Sequence, residues 1–301
     1  MSSLTTYREA VLKGAASLKE SGIDSPDYDS RQLMLKAASF NDTSYLMKSM
    51  DKIPEGQLDT FNAYIERRKR KEPLQHILGE AYFYGRSYKV NSAVLVPRYD
   101  TEVLVENVLK VLSDGDSVLD MCTGSGCIII TLALEKKLDK AFGCDLSSAA
   151  LKVAEDNAKS LSGDKDRIKF FQGDLFNSLG EQYKGAFDCI VSNPPYIETS
   201  VIPMLSDEVK MYDPMMALDG SEDGLEFYRR ITQEAPGYLK KNGYLFYEIG
   251  AEQGRAVSDL MARAGFKDIR VIKDLAGLDR VVCGQLGWLE NCYAVYELIY
   301  N

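Results

Sequence analysis

Asn193-Pro194-Pro195-Tyr196, directly after the apolar run 187–192, is the stretch of this chain best equipped for chemistry. A short apolar run that stops at two prolines reads as a buried strand with one polar side chain left at its mouth. Neither proline has an N–H to continue a ladder, so the stiffened backbone offers the Pro194 carbonyl beside the side-chain carbonyl of Asn193. Two fixed acceptors suit a planar NH2 group, one for each hydrogen. By itself the Pro-Pro pair more often just ends a strand; the flanking Asn and Tyr point to more than that.

A second set lies upstream. Asp120-Met121-Cys122-Thr123-Gly124-Ser125-Gly126 falls where the apolar strand 117–121 turns into the apolar helix 126–138. Small residues at such a turn let backbone N–H groups approach a polar or anionic ligand. A dinucleotide fingerprint would need a third small residue where this chain has Ile129, so another nucleoside is expected. Asp145 ends the next strand, as a carboxylate placed to accept from ribose hydroxyls would. Asp174 ends the third beside Leu175 and Phe176, where a carboxylate can receive an exocyclic amine while apolar side chains cover an adenine face. Each aspartate alone reads as a cap or turn residue. In register with the glycine-rich turn, and with Asn193 at a fourth strand end adjoining the cofactor, they give subsites for amino acid, ribose and base whose order fits S-adenosylmethionine.

The elements that must position these groups alternate after residue 101. Strands are expected at 117–121, 141–145, 168–172, 187–192, 244–249, 269–273 and 293–300, with helices at 101–112, 126–138, 147–161, 225–239 and 253–264. This alternation implies a parallel α/β sheet with helices on both faces. Residues 6–70 carry helical periodicity, with Pro26 and Pro54 at helix starts. Aromatic and β-branched residues between 78 and 97, broken at Gly85-Arg86, predict a hairpin. We therefore expect a helical substrate-recognition domain at 1–75, a connecting β-hairpin at 76–98 and a catalytic domain at 99–301. The charge run 66–72 reads as a solvated helix face. Arg98, Asp100, Thr101 and Glu102 read as a helix-capping cluster. Glu248 reads as a buried carboxylate tied to backbone N–H groups, not as a catalytic group.

Composition narrows the function. A net charge of −9 over 301 residues argues against direct nucleic-acid binding. No apolar run reaches a membrane span and residues 1–10 lack a secretory core, so a cytoplasmic protein is expected. Six cysteines without a C-x-x-C pair read as free thiols, and a single histidine, His76, removes most metal-ligand and Ser-His or Cys-His schemes, so no metal is expected.

The blocks PLQHILGEAYFYG (73–85), LVPRYDTEVLVE (95–106), DMCTGSG (120–126), NPPY (193–196), MALDGSEDGLEFYRRI (216–231), EIGAEQG (248–254) and DLAGLDRVV (274–282) resemble those of the HemK/PrmC-type methyltransferases. That family modifies the glutamine of the Gly-Gly-Gln motif in peptide chain release factors. The resemblance implies a Rossmann-like class I S-adenosylmethionine-dependent methyltransferase sheet, with a small all-α N-terminal domain joined by a β-hairpin. It implies that the methionine part of the cofactor lies at Cys122, Thr123, Gly124, Ser125 and Gly126, the ribose at Asp145, the adenine near Asp174 and Leu175, and the substrate at Asn193, Pro194, Pro195 and Tyr196. A monomer acting on release factors in translation termination is the expectation. The family more often has Gly at Cys122 and an aromatic residue at Leu175; the backbone role of Cys122 is expected to survive if its dihedrals are ordinary. Tyr196 could pack near the substrate amide or serve as an apolar plug. NPPY is shared with enzymes that methylate adenine in nucleic acid, so adenine-N6 methylation is one alternative, and a ribosomal-protein glutamine is another. A non-catalytic nucleoside-binding module is a third.

Overall fold

The structure is a computed structural model and describes residues 5–163 and 168–287. The chain forms two compact units. The first takes the chain up to Ala81 together with Val90–Ser92 and Leu205–Asp213; the second takes Tyr82–Lys89, Ala93–Met204 and the chain from Pro214 on.

In the first unit, α1 (Tyr7–Glu20), α2 (Pro26–Ala38), α3 (Asp42–Lys48), α4 (Glu55–Lys69) and α5 (Leu74–Leu78) enclose a core around Leu18, Leu33, Met34 and Phe61. A capping box starts α1: the Glu9 N–H donates to the Thr6 hydroxyl at 3.2 Å and the Thr6 N–H to the Glu9 carboxylate at 2.9 Å. A Cβ on Gly14 would come within 2.6 Å of Ser30 Oγ and 2.7 Å of the Phe61 ring, so glycine is what lets these helices approach. The charge run departs from expectation at Arg68, which is 5% exposed. Its Nε donates to Asp29 at 2.7 Å, its Nη1 to the Glu72 carbonyl at 3.1 Å and its Nη2 to Glu208 at 2.6 Å. Three acceptors satisfy a guanidinium whose burial alone would be costly. Sequence periodicity could not reveal the long-range partner Glu208.

The hairpin of β1 (Glu80–Phe83) and β2 (Arg86–Lys89) turns at Tyr84 and Gly85, with φ of +47° and +73°. Two successive positive φ angles match the strand twist in a two-residue hairpin. Tyr88 is buried, its hydroxyl 2.7 Å from Thr131 Oγ1.

The second unit continues with α6 (Thr101–Leu109), β3 (Ser117–Met121), α7 (Cys127–Glu135), β4 (Lys140–Asp145), α8 (Ser148–Ser162), β5 (Ile168–Gln172) and β6 (Phe187–Ser192). Then come α9 (Asp207–Tyr212), which belongs to the first unit, α10 (Met215–Leu218), α11 (Glu226–Tyr238), β7 (Leu239–Glu248), α12 (Gly254–Arg263), β8 (Phe266–Lys273) and β9 (Asp279–Leu286). The strands form one sheet in the order β5-β4-β3-β6-β7-β9-β8. The pairs from β5 through β7 are parallel, whereas β9 runs antiparallel to both β7 and β8. The sheet is thus mixed, and β9, which periodicity did not signal, is the strand that makes it so. The strand expected at 293–300 lies outside the described residues. Alternate residues feed two cores: Val118, Cys189, Val191 and Phe246 on one face, Leu119, Ile190, Leu245 and Tyr247 on the other. No helix among the described residues is long and apolar enough to cross a membrane.

From β3 the chain steps outward to β4 and β5, then returns to place β6 on the other side of β3. That reversal is the switch point at which open α/β sheets form a crevice beyond their carboxyl ends. Met121 pairs with Ser192 across it, so Cys122 and Asn193 leave the sheet side by side.

Candidate active site

At this crevice lies a cavity of about 460 Å³, within the range of small-molecule sites. Cys122, Thr123, Gly124, Ser125, Asp145, Asp174, Leu175, Asn193 and Pro195 line it. Gly126, Pro194 and Tyr196 are not among the lining residues. Nine of the twelve residues singled out in the sequence therefore line one cavity, and three do not.

The turn after β3 is shaped by its backbone. The Thr123 N–H donates to the Cys144 carbonyl at 3.0 Å, tying the turn to β4, and the Thr123 hydroxyl donates to Asp120 Oδ2 at 2.6 Å. Gly124 has φ of +54° and no atom within 4 Å of where a Cβ would stand, which leaves its main chain open to a ligand. Gly126 (φ +79°) has the opposite constraint: a Cβ there would meet Ile130 at 2.8 Å and Ala154 at 3.1 Å. Asn157 fastens the turn from α8, donating to the Ser125 carbonyl at 2.9 Å and the Lys89 carbonyl at 3.0 Å. Cys122 does not have ordinary dihedrals: its φ is +62°, and Leu175 has φ of +51°. Both hold left-handed conformations that cost a side chain about 1–2 kcal/mol.

The carboxylates differ in environment. Asp145 Oδ2 accepts from the Gly124 N–H and Oδ1 from the Ser147 N–H, both at 2.9 Å. Burial raises its pKa, while those N–H groups pull the other way. Asp174 pairs with Arg230 of α11 at 2.6 Å, a partner the sequence did not suggest. Asp120 is fully buried, and burial pushes its carboxyl up to about 7 against the Thr123 hydrogen bond.

Asn193 donates its amide nitrogen toward Thr101 Oγ1 at 3.5 Å. That corrects the capping reading of the segment before α6. Asp100 makes no side-chain cap and instead meets Arg280 at 3.3 Å, Thr101 is 2% exposed and faces Asn193, and Glu102 accepts from the Tyr84 N–H at 2.8 Å. Glu248 likewise departs from expectation, interacting with the side chains of Thr101 and Asn193. Arg98, Met215, Met216 and Phe227 complete the wall and were not singled out in the sequence for that place.

Tyr196 packs against the core, and burial with the nearby Glu248 pushes its phenol up to about 12. Its backbone is braced from behind. Gln253 Nε2 donates to the Tyr196 carbonyl at 3.0 Å and the Gly224 carbonyl at 3.2 Å, while Gln253 Oε1 accepts from the Gly250 N–H at 3.0 Å. A Cβ on Gly220 would lie 2.8 Å from the Tyr196 backbone, and one on Gly224 would collide with the Tyr196 carbonyl oxygen. The blocks around 220 and 250 thus serve to seat the 193–196 turn. Among the described residues no cluster of His, Cys, Asp or Glu could hold a metal ion, and five cysteines are free thiols; Cys292 lies outside them.

Comparison with known proteins agrees with this geometry. Two family models match: the PrmC N-terminal domain at residues 9–79 and a methyltransferase domain at residues 112–276. A release factor glutamine methyltransferase of Thermodesulfovibrio yellowstonii is 46% identical over 234 residues, covering 76% of this chain and 82% of that protein. One of Caulobacter vibrioides is 41% identical over 276 residues, covering 91% of this chain and 94% of that protein. The crystal structure of a methyltransferase from Pyrococcus furiosus resembles the fold with a TM-score of 0.50 at 16% identity, over 68% of this chain and 91% of that one. With relatives this similar along nearly their whole length, the chain belongs to the release factor glutamine methyltransferase family.

Proposed function

We propose that this protein transfers a methyl group from S-adenosyl-L-methionine to the side-chain amide nitrogen, N5, of the glutamine in the Gly-Gly-Gln motif of peptide chain release factors. The observation that carries the reading is the register of β3 on β6, from which the 122–126 turn and Asn193 enter one cavity side by side. The residues present fit the cofactor: an open backbone at Gly124, a carboxylate at the end of β4 and apolar side chains around Leu175 suit its amino-acid, ribose and base parts. When bound, S-adenosyl-L-methionine supplies an electrophilic methyl group on a sulfonium.

The remaining work falls to the chain. Main-chain groups of Cys122, Thr123, Gly124, Ser125 and Gly126 hold the methionine part, Asp145 accepts from the ribose, and Asp174 with Leu175 borders the adenine. An amide nitrogen is a poor nucleophile because its lone pair is delocalised into the carbonyl. With the Asn193 nitrogen on the Thr101 side, its carbonyl oxygen is the atom left for an incoming donor. That oxygen and the Pro194 carbonyl accept the two substrate amide hydrogens, which orients the nitrogen and stabilises positive charge developing on it. As the N–C bond forms, the S–C bond to the methyl breaks and leaves a neutral thioether, while the nitrogen becomes acidic and its proton passes to these acceptors or to water. Pro195 stiffens the turn and Tyr196 anchors it.

We further propose a division of labour: a helical domain at 1–75 that grips the release factor, a connecting hairpin at 76–98 and a catalytic domain at 99–301. In support of the helical domain, one family model ends at residue 79 and the first compact unit takes the chain up to Ala81, to which Val90–Ser92 and Leu205–Asp213 are added. A cytoplasmic monomer completes the reading, since release factors work on ribosomes. The test is incubation with labelled cofactor, purified release factor, its Gln-to-Ala form and DNA in parallel. Label on the unaltered release factor alone is expected; label on DNA but not on release factor overturns the assignment.

A further inference from the structure

Glu248 ends β7 with 2% of its surface exposed. It does not line the cavity; Thr101 and Asn193 stand in the wall, and both side chains interact with its carboxylate. Its Oε2 has no hydrogen-bond partner. A buried carboxylate with one oxygen unsatisfied costs stability, and a neutral side chain of the same shape would cost less. What an ionised carboxylate does here that glutamine cannot is accept without donating.

That property matters for the neighbour. The two ends of an asparagine amide have nearly the same shape, so only hydrogen bonding decides which way the group faces. A carboxylate beside Asn193 attracts the NH2 end and repels the carbonyl end. The Thr101 hydroxyl can donate to Glu248 while accepting from Asn193 Nδ2 at 3.5 Å, which extends the same polarity by one link. We propose that Glu248 is a positioning residue that holds Asn193 with its carbonyl oxygen toward the substrate carboxamide. The proposal rests on the methyl-transfer reading above and assigns Glu248 no contact with substrate.

The groups facing Glu248 come from several elements. Arg280 of β9 favours its ionised form and Asp100, before α6, opposes it, while the Tyr196 and Tyr228 phenols and the Cys127 thiol also lie in its field. Arg280 is in turn held by Asp100 at 3.3 Å and Asp274 at 3.0 Å. Burial outweighs the others and pushes Glu248 up to about 7. Below that pH the carboxyl gains an O–H that the Asn193 carbonyl can accept, which turns the amide round. Turnover therefore rises with pH through about 7. Asp120 titrates in the same range, so the profile alone does not identify the group and a variant must.

The experiment measures kcat and the KM for cofactor from about pH 5 to about pH 9 in the wild type, Glu248→Gln, Glu248→Asp and Asn193→Ala. Glu248→Gln is expected to lower kcat about tenfold or more, as a misplaced catalytic group does, with cofactor KM little changed and the Glu248 inflection gone. Glu248→Asp, still a pure acceptor when ionised, should recover part of the loss. The wild type carries an independent readout that needs no variant to fold: the side-chain 15N–1H signals of Asn193 should titrate with Glu248. Wild-type turnover or an unchanged pH profile in Glu248→Gln overturns the proposal, as does an Asn193 signal flat across that range. If instead Asn193→Ala retains turnover, it is the role of Asn193 in methyl transfer that fails, not merely its orientation.

Discussion

The two turns that leave the sheet at its switch point reach one cavity by opposite means. Residues 122–126 contain two glycines and present main chain alone; residues 193–196 contain none and present the Asn193 side chain with one main-chain carbonyl. The first turn is fastened by hydrogen bonds to β4 and α8, at Cys144, Asp145 and Asn157. The second is braced by distant segments, with Gly220, Gly224 and Gln253 shaped to the Tyr196 backbone and Glu248 beside Asn193. A site that must hug a ligand places its glycines in the contacting loop. A site that must aim one amide stiffens that loop and moves its glycines to whatever packs behind.

This contrast can be broken at either turn. Asn193→Ala should lower turnover by about two to three orders of magnitude, as loss of one preorganised polar group does, with cofactor affinity measured by calorimetry almost unchanged. Comparable losses in both quantities would end the separation of roles. Gly224→Ala, which touches neither ligand, should cost about a hundredfold in turnover by displacing the Tyr196 backbone. Its crystal structure would show whether 193–196 moves; an unmoved turn with full activity would remove the bracing argument. Asp145→Asn should act in the other direction, weakening cofactor binding about tenfold, or about 1.4 kcal/mol, and sparing kcat at saturation. The smallest effect belongs to Cys122→Gly, which relieves a left-handed side chain and should raise stability by about 1 kcal/mol in a urea melt. No gain there would mean that packing of the Cys122 side chain offsets its backbone strain.

The same contrast explains what could be read in the sequence. Strands 117–121 and 187–192 stand where periodicity put them, because a strand buried on both faces announces itself by composition; the half-exposed edge strand 168–172 also stands where it was expected. The glycine-rich turn and the aspartates at strand ends are local signals, and the structure gathers them. What the sequence concealed is action at a distance: Arg230 on Asp174, Arg280 on Asp100, Glu248 beside Asn193 and Arg68 on Glu208. Thr101 misled for the same reason. Its position favours a cap, and only the fold reveals that its hydroxyl faces Asn193. The edge strand β9 was missed because its inner apolar residues, 281–283, are too short a run to stand out beside the turn at 274–278.

Arg68 carries a practical consequence for anyone wishing to dissect this enzyme. Its partner Glu208 belongs to a segment that the chain reaches after Tyr196 and that runs directly into Pro214, Met215 and Met216 of the cavity wall. No single cut frees the helical unit. A truncation near Ala81 would strand 205–213 with an orphaned carboxylate and loosen the wall that follows, so its product would be a wounded catalyst rather than a minimal one. The proposed grip of the helical unit on the protein substrate is better tested by surface point substitutions on α1 to α4 than by deletion.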